Sequence, residues 1–383
     1  MLHERIRCLL IFGTRPEAIK LSPVALELAG RQQFRVQLCA TAQHRELLDQ
    51  VLGCFGIKPD YDLDLMRPGQ SLAQTTARVM QGLERVLRES RPDIVLVQGD
   101  TTTTLCGALA AFYERIPVGH VEAGLRTWDP AQPFPEEMNR VLTSRLATLH
   151  FAATEWAAAN LLKEGVDAAR ITVTGNTGID AVLWVRDRLE EGSLGGWSGA
   201  SLEGTRKLIV VTAHRRESFG AGFERICAAL ARLSERDDVQ IVYPVHPNPN
   251  VQGPVRRLLG GRRNIVLAEP LEYVPFVDLM RRAWILITDS GGIQEEGPSL
   301  GKPILVLREK TERPEAVQAG TVKLVGTDPD RIVNEAVRLL EDQAEYERMA
   351  RVHNPYGDGR ASARVADAIL SFFEKNPRSG RAL

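Results

Sequence analysis

The sequence predicts an α/β fold of two Rossmann-like, doubly wound domains in tandem, with a ligand cleft between them. Three observations predict it. At 383 residues the chain exceeds the size at which a single core usually keeps growing. Short apolar, β-rich runs alternate with longer helical patterns from one end to the other. That alternation breaks once, at the Gly- and Ser-rich stretch GSLGGWSGASLEGTR, residues 192–206. The expected domains are residues 1–185 and 207–359, joined by a linker at 186–206, with a last helix and tail at 360–383.

In the first half the strand candidates are Cys8–Phe12, Val36–Ala40, Ile94–Gln98, Val118–Glu122, His150–Ala153 and Ile171–Thr174. Between them, Leu72–Glu89 and Thr104–Glu114 carry apolar residues at three- and four-residue intervals, the helical period. The pattern restarts with Leu208–Thr212, Gln240–Val245, Ile265–Ala268, Trp284–Thr288, Ile304–Leu307 and Val322–Val325, and a helical stretch from about Arg360 to Lys375 ends it. Continuous apolar strands separated by helices imply parallel sheets covered on both faces. Ligands of such sheets bind beyond the carboxyl ends of the strands, so the residues that follow strands are the informative ones.

Composition narrows the partners. Lys plus Arg (48) nearly cancels Asp plus Glu (49), which gives no reason to expect nucleic acid or an anionic membrane surface. Cys8, Cys39, Cys54, Cys106 and Cys227 form no CxxC pair and mostly sit in apolar runs, as reduced buried thiols do. No stretch approaches the roughly 20 apolar residues of a membrane span. A cytoplasmic protein is expected. The seven histidines show no HExxH or closely spaced pair, so no metal site is expected.

The turns carry the chemistry. The first strand runs into Gly13-Thr14-Arg15-Pro16-Glu17-Ala18-Ile19-Lys20, where Arg15 and Lys20 add positive charge and the glycine allows close approach, unless the turn is merely capped and solvated. Neither GxxxxGK[ST] nor GxGxxG occurs here. Asp100 follows Val97-Gln98-Gly99, and could equally cap the helix after it. Glu122 ends the next strand, and Glu136 follows Pro133-Phe134-Pro135, where it suits the positive end of a helix. Three acids after neighbouring strands should converge on one rim, where crowded carboxylates push their pKa values apart. The second half has the opposite character: Ala213-His214-Arg215-Arg216 after one strand, His246 after the next, which taken alone reads as a packed turn histidine, and Asp289-Ser290-Gly291-Gly292 after a third. Ser-Gly-Gly at a helix start offers a hydroxyl and bare N–H groups, a good phosphate cradle, and Glu296 further on suits ribose hydroxyls.

These residues resemble the bacterial non-hydrolysing UDP-N-acetylglucosamine 2-epimerases, through FGTRPEAIK (12–20), TAQHRELLDQVL (41–52), QGDTTTT (98–104), HVEAGLRT (120–127), PFPEEMNR (133–140), TGNTGIDA (174–181), AHRRES (213–218), YPVHPNPNV (243–251), DSGGIQEEGPSLGKP (289–303), TERPEAVQAGTVKLVGTD (311–328) and HNPYGDG (353–359). The resemblance implies the glycosyltransferase-B architecture, with the last helix crossing back to the first domain, no cofactor, and a homodimer. It implies nucleotide and diphosphate contacts at Arg15, His214, Ser290, Gly291, Gly292, Glu296 and Arg313, with Phe276 on the uracil side. Lys20, Asp100, Glu122, Glu136 and His214 match catalytic-site residues. A second UDP-N-acetylglucosamine acting as activator is implied at Gln43, Glu136, Arg215 and His246, although Gly69 stands where some members have arginine, and Glu46 where a glutamine can stand.

Carbon 2 of the sugar has no neighbouring carbonyl, so its proton is hardly acidic. The family's route expels UDP from carbon 1 as that proton leaves, and re-adds it across 2-acetamidoglucal. Cations and N–H dipoles for the departing diphosphate, and two carboxyl groups for protons, are what the route requires. A glycosyltransferase of the same architecture, a hydrolysing 2-epimerase, and a UDP-sugar sensor are the competing readings.

Overall fold

Runs such as Ile94–Gln98 are buried along their whole length, so helices must cover both faces of the sheet they enter. The computed structural model describes residues 5–41, 45–65, 67, 69–199, 202, 206–311 and 313–376. The chain divides into two units, one made of the residues up to Ala181 with those from Tyr356 onward, the other of Val182–Pro355. The first boundary falls inside the helix Thr177–Glu190, ahead of the linker expected at 186–206. Residues of that stretch pack within the second unit, where the Trp197 N–H donates to Asp278 at 3.0 Å. The tail expected after the last helix lies outside the described residues from 377 on.

The first unit holds a parallel sheet of β1 (Ile6–Phe12), β2 (Phe34–Ala40), β3 (Tyr61–Asp62), β4 (Ile94–Gln98), β5 (Val118–Ala123), β6 (Leu149–Ala152) and β7 (Ile171–Val173), in the order β3-β2-β1-β4-β5-β6-β7. The two-residue β3 was not expected. The helix Arg15–Ala29 follows β1, with Pro16 in its first turn and Leu21, Val24 and Leu28 buried at helical spacing. Each such leucine contributes about 1.5–3 kcal/mol by burial. On this helix packs the last one, Ala361–Lys375. Asp180 anchors its start, accepting from the Ala361 and Ser362 N–H groups at 3.1 and 2.7 Å.

The second unit repeats the plan with β8 (Lys207–Thr212), β9 (Val239–Pro244), β10 (Ile265–Ala268), β11 (Ile285–Thr288), β12 (Ile304–Val306) and β13 (Val322–Leu324), all parallel, in the order β10-β9-β8-β11-β12-β13. Its core gathers Ile209, Val211, Ile241, Ile285 and Ile287 of the strands with Phe223, Ile226 and Leu230 of one covering helix. In each sheet the strand order reverses between the first and fourth strands of the unit. A doubly wound sheet opens its ligand crevice at that switch point. There the turns after β1 and β4 meet in one unit, and the turns after β8 and β11 in the other.

Candidate active site

In the first unit the switch point is lined by acids. β5 and β6 slip in register between Val121 and Ala123, and Glu122 sits in the slip with φ +63°. A non-glycine residue in the left-handed region is strained, by about 1–3 kcal/mol. The bulge re-aims its side chain. The Glu122 carboxylate is ion-paired with Lys20 and accepts from Gln98 Nε2 at 2.7 Å. Asp100 follows β4, but Thr101 caps the next helix, its hydroxyl accepting from the Thr104 N–H at 3.1 Å. The Asp100 carboxylate is thereby left for Arg140 Nη2, at 2.5 Å. Glu136 opens the helix Glu136–Leu146 that carries Arg140 and, half-buried, is held by no partner among the described residues. Its neighbour Glu137 is buried and braces the loop before it, accepting from the Thr127 and Trp128 N–H groups at 3.0–3.1 Å.

Two buried histidines, on β5 and β6, are neutral. His120 is fully buried, and its Nε2 is 2.7 Å from the Gly99 carbonyl, which can only accept, so Nε2 carries the proton. Burial pushes its pKa down to about 3. His150, its register partner on β6, is pushed to about 4 for the same reason, helped by Arg170 and Arg126. Glu17 is also buried, and desolvation raises its pKa against the hydrogen bonds it accepts.

In the second unit the switch point gathers His214 and Arg215 around a buried aspartate. Asp289, fully buried, accepts from the His214 and Arg215 N–H groups at 2.7 Å each, joining the turn after β8 to the turn after β11. Its other oxygen lies 3.3 Å from His214 Nδ1. Burial holds the His214 pKa below its usual value; Asp289 raises it, while His246 and Arg215 lower it. The His214 and His246 rings stack at 5.2 Å, and Arg215 Nε is buried without a hydrogen-bond partner among the described residues.

Ser290 precedes the helix Gly291–Glu296. Neither Gly291 nor Gly292 has positive φ, and a Cβ on either would meet nothing nearer than 3.6 Å. Packing does not demand these glycines, so their bare backbone leaves room for something outside the chain. Gly13 differs: a Cβ there would lie 2.4 Å from the hydroxyls of both Thr41 and Thr103. Arg313 is paired with buried Glu295 beside Gly291. Glu296 ends the helix half-buried, and Phe276 is half-buried on the helix Tyr273–Arg282.

The sequence-predicted residues thus fall into two sets. Arg15, Lys20, Asp100, Glu122 and Glu136 belong to the first unit; His214, Arg215, His246, Phe276, Ser290, Gly291, Gly292, Glu296 and Arg313 belong to the second. Gln43 lies outside the described residues. Sequence reasoning gave no role to Glu17, Arg140 or Asp289, and to Glu137 only a place, with Glu136, at the positive end of its helix. Of the first three, only Glu17 had a signal, the T-x-x-E capping pattern of Thr14–Glu17. Among the described residues no group of three or more His, Cys, Asp or Glu could hold a metal ion, and no helix is long and apolar enough to cross a membrane.

Two doubly wound parallel sheets, each with its polar turns at the switch point, define a protein of the glycosyltransferase-B fold class. A glycotransferase of kitacinnamycin shares that fold at 15% identity, with TM-score 0.64 over 96% of this chain and 99% of the other. The chain belongs to the UDP-N-acetylglucosamine 2-epimerase family, whose model matches residues 26–370. It is 58% identical to the UDP-N-acetylglucosamine 2-epimerase of Escherichia coli K12, covering 95% of this chain and 98% of that one. The Neisseria meningitidis UDP-GlcNAc 2-epimerase, solved bound to UDP-GlcNAc, is similar at 49% identity and TM-score 0.87, over 96% of this chain and 100% of the other. The Methanocaldococcus jannaschii enzyme is similar at 31% and 0.80, over 96% and 100%.

Proposed function

We propose that this protein is a non-hydrolysing UDP-N-acetylglucosamine 2-epimerase, interconverting UDP-N-acetylglucosamine and UDP-N-acetylmannosamine. The observation that carries the reading is Glu122: a carboxylate on strained backbone, joined to Lys20 and Gln98 beside the Asp100 turn. Strain of this kind persists where a side chain must be aimed.

The C1–O bond breaks with its electron pair going to the β-phosphate oxygen of UDP. The C2 proton passes to a carboxylate, and the C2–H electrons become the C1=C2 bond of 2-acetamidoglucal. Re-addition reverses these steps, with a proton delivered to the opposite face of C2. Asp100 and one of Glu122 or Glu136 exchange the two protons, and Lys20 balances the charge at Glu122. His214, oriented by Asp289, acts with Arg15, Arg313 and the Ser290-Gly291-Gly292 amides on the diphosphate as its charge develops. Glu296 accepts from the ribose hydroxyls, and Phe276 meets the uracil. A second UDP-N-acetylglucosamine serves as activator through Gln43, Glu136, Arg215 and His246; the Arg215 Nε, buried with no hydrogen-bond partner among the described residues, supports this. Phe112, Tyr113, Met138 and Leu142 stay exposed on the packed helices Thr102–Tyr113 and Glu136–Leu146, which supports a homodimer.

Proton NMR of UDP-N-acetylglucosamine with the purified protein in heavy water tests the reading. UDP-N-acetylmannosamine with deuterium at C2 is expected. Free N-acetylmannosamine as the main product would make the protein a hydrolysing enzyme, and binding without exchange at C2 would remove the epimerase reading.

A further inference from the structure

A glutamate with only 1% of its surface exposed is uncommon, since burying a carboxylate is costly unless it is well hydrogen-bonded. Glu17 touches no element of the proposed proton chemistry. Its Oε2 accepts from the Gly13 N–H at 3.1 Å, and from the Thr14 N–H and hydroxyl at 2.7 Å each. Its Oε1 lies 2.8 Å from the Thr101 hydroxyl and 3.2 Å from that of Thr104. The Thr104 proton is committed to the Gln98 carbonyl at 2.6 Å, so Thr101 is the donor to Oε1.

One carboxylate therefore holds the turn after β1 with one oxygen and the turn after β4 with the other. Asp100 is the residue before Thr101, Arg15 follows Thr14, and Lys20 lies one helical turn beyond Glu17. There is no slack between the turns: Gly13 faces the Thr41 and Thr103 hydroxyls, which bond each other at 3.0 Å. Capping its own helix would need only the Thr14 contacts. The bond to Thr101 spans 84 residues and does something else.

We propose that Glu17 is a positioning residue for the epimerisation: it locks the Asp100 turn to the helix that carries Lys20, so that Asp100 and the Lys20–Glu122 pair keep one fixed spacing. The claim rests on the reading of Asp100 as a proton-transfer residue. Positioning of this kind acts on the chemical step more than on substrate binding.

The test compares Glu17→Gln, Thr101→Val, Thr101→Ser and the double variant E17Q/T101V in the full-length protein, with kcat and KM from the heavy-water assay, UDP affinity by calorimetry and Tm by circular dichroism. E17Q and T101V weaken the same link from its two ends, one by removing the charge of the acceptor and the other by removing the donor. Each is expected to lower kcat at least tenfold while KM and UDP affinity move less than threefold. The double variant should be no slower than the worse single, because one link cannot be lost twice. T101S keeps the hydroxyl and should stay within threefold of wild type. E17Q turning over within threefold of wild type, losses that multiply in the double variant, or a KM rise without a kcat loss would each overturn the proposal. If E17Q does not fold, a T101V that turns over within threefold of wild type would overturn the proposal on its own. A wild-type protein that exchanges no deuterium at C2 would remove the epimerase reading and this one together; an active wild type with an active E17Q removes this one alone.

Discussion

The two units build their switch points with the same device and give them opposite electrical character. In each, a buried carboxylate joins the turn after the first strand to the turn after the fourth. In the first unit it is Glu17, reaching from the helix after β1 to Thr101, with neutral donors throughout. In the second it is Asp289, reaching back from the end of β11 to the His214 and Arg215 amides and facing an imidazole. The clamp in the first unit supports acids, one of them on strained backbone. In the second it supports an imidazole, an arginine and a Ser-Gly-Gly turn whose glycines lie outside the left-handed region. A shared topology settles where a ligand can be met, and the residues just past the strands decide what is done to it.

The sharpest way to break this contrast is Asp100→Asn. It should lower kcat by about 10²–10⁴-fold, the usual worth of a general acid or base, with UDP affinity by calorimetry unchanged. Near-normal turnover would deprive the first unit of its proposed role. Acid should act next. His120 and His150 are buried with pKa values of about 3 and 4. The unfolded chain, with histidines near 6.5, then binds more protons, so their contribution is full above about pH 6.5 and is lost as pH falls toward the folded values. At pH 5 each should cost on the order of 2 kcal/mol in urea unfolding, and His150→Asn should flatten the pH slope.

Gly13→Ala should cost about 1–3 kcal/mol by overpacking against Thr41 and Thr103. Gly291→Ala and Gly292→Ala should change stability by less than about 1 kcal/mol yet weaken UDP about tenfold, roughly 1.4 kcal/mol. The same substitution then separates a glycine needed by the fold from glycines needed by a ligand. Unchanged UDP affinity in both would show that the turn is structural. The smallest effect is expected for Asp289→Asn. Asp289 raises the His214 pKa, so removing its charge should lower that pKa further, measurable by NMR titration of the imidazole.

The strand–helix alternation was legible because buried parallel strands are continuous apolar runs. Cys8–Phe12 and Ile94–Gln98 announce themselves, whereas Tyr61–Asp62 is too short to carry a period. The site was legible as a set of turns and not as a set of roles. Asp100 could have been a cap until Thr101 was seen to take that duty. Of the adjacent Glu136 and Glu137, one is a buried brace and the other has no partner among the described residues, and two identical side chains in a row cannot say which is which. Asp289 and Arg140 act through partners 75 and 40 residues away, a relation that only the folded chain brings about.

The last helix, Ala361–Lys375, lies on the helix that follows β1, and its opening amides are held by Asp180. Translation therefore delivers the covering piece of the first unit only after the whole of the second unit. A nascent chain that has already made all seven strands of that sheet still shows an apolar flank to the ribosome and its attendant chaperones, and early termination would leave that flank bare for proteolysis.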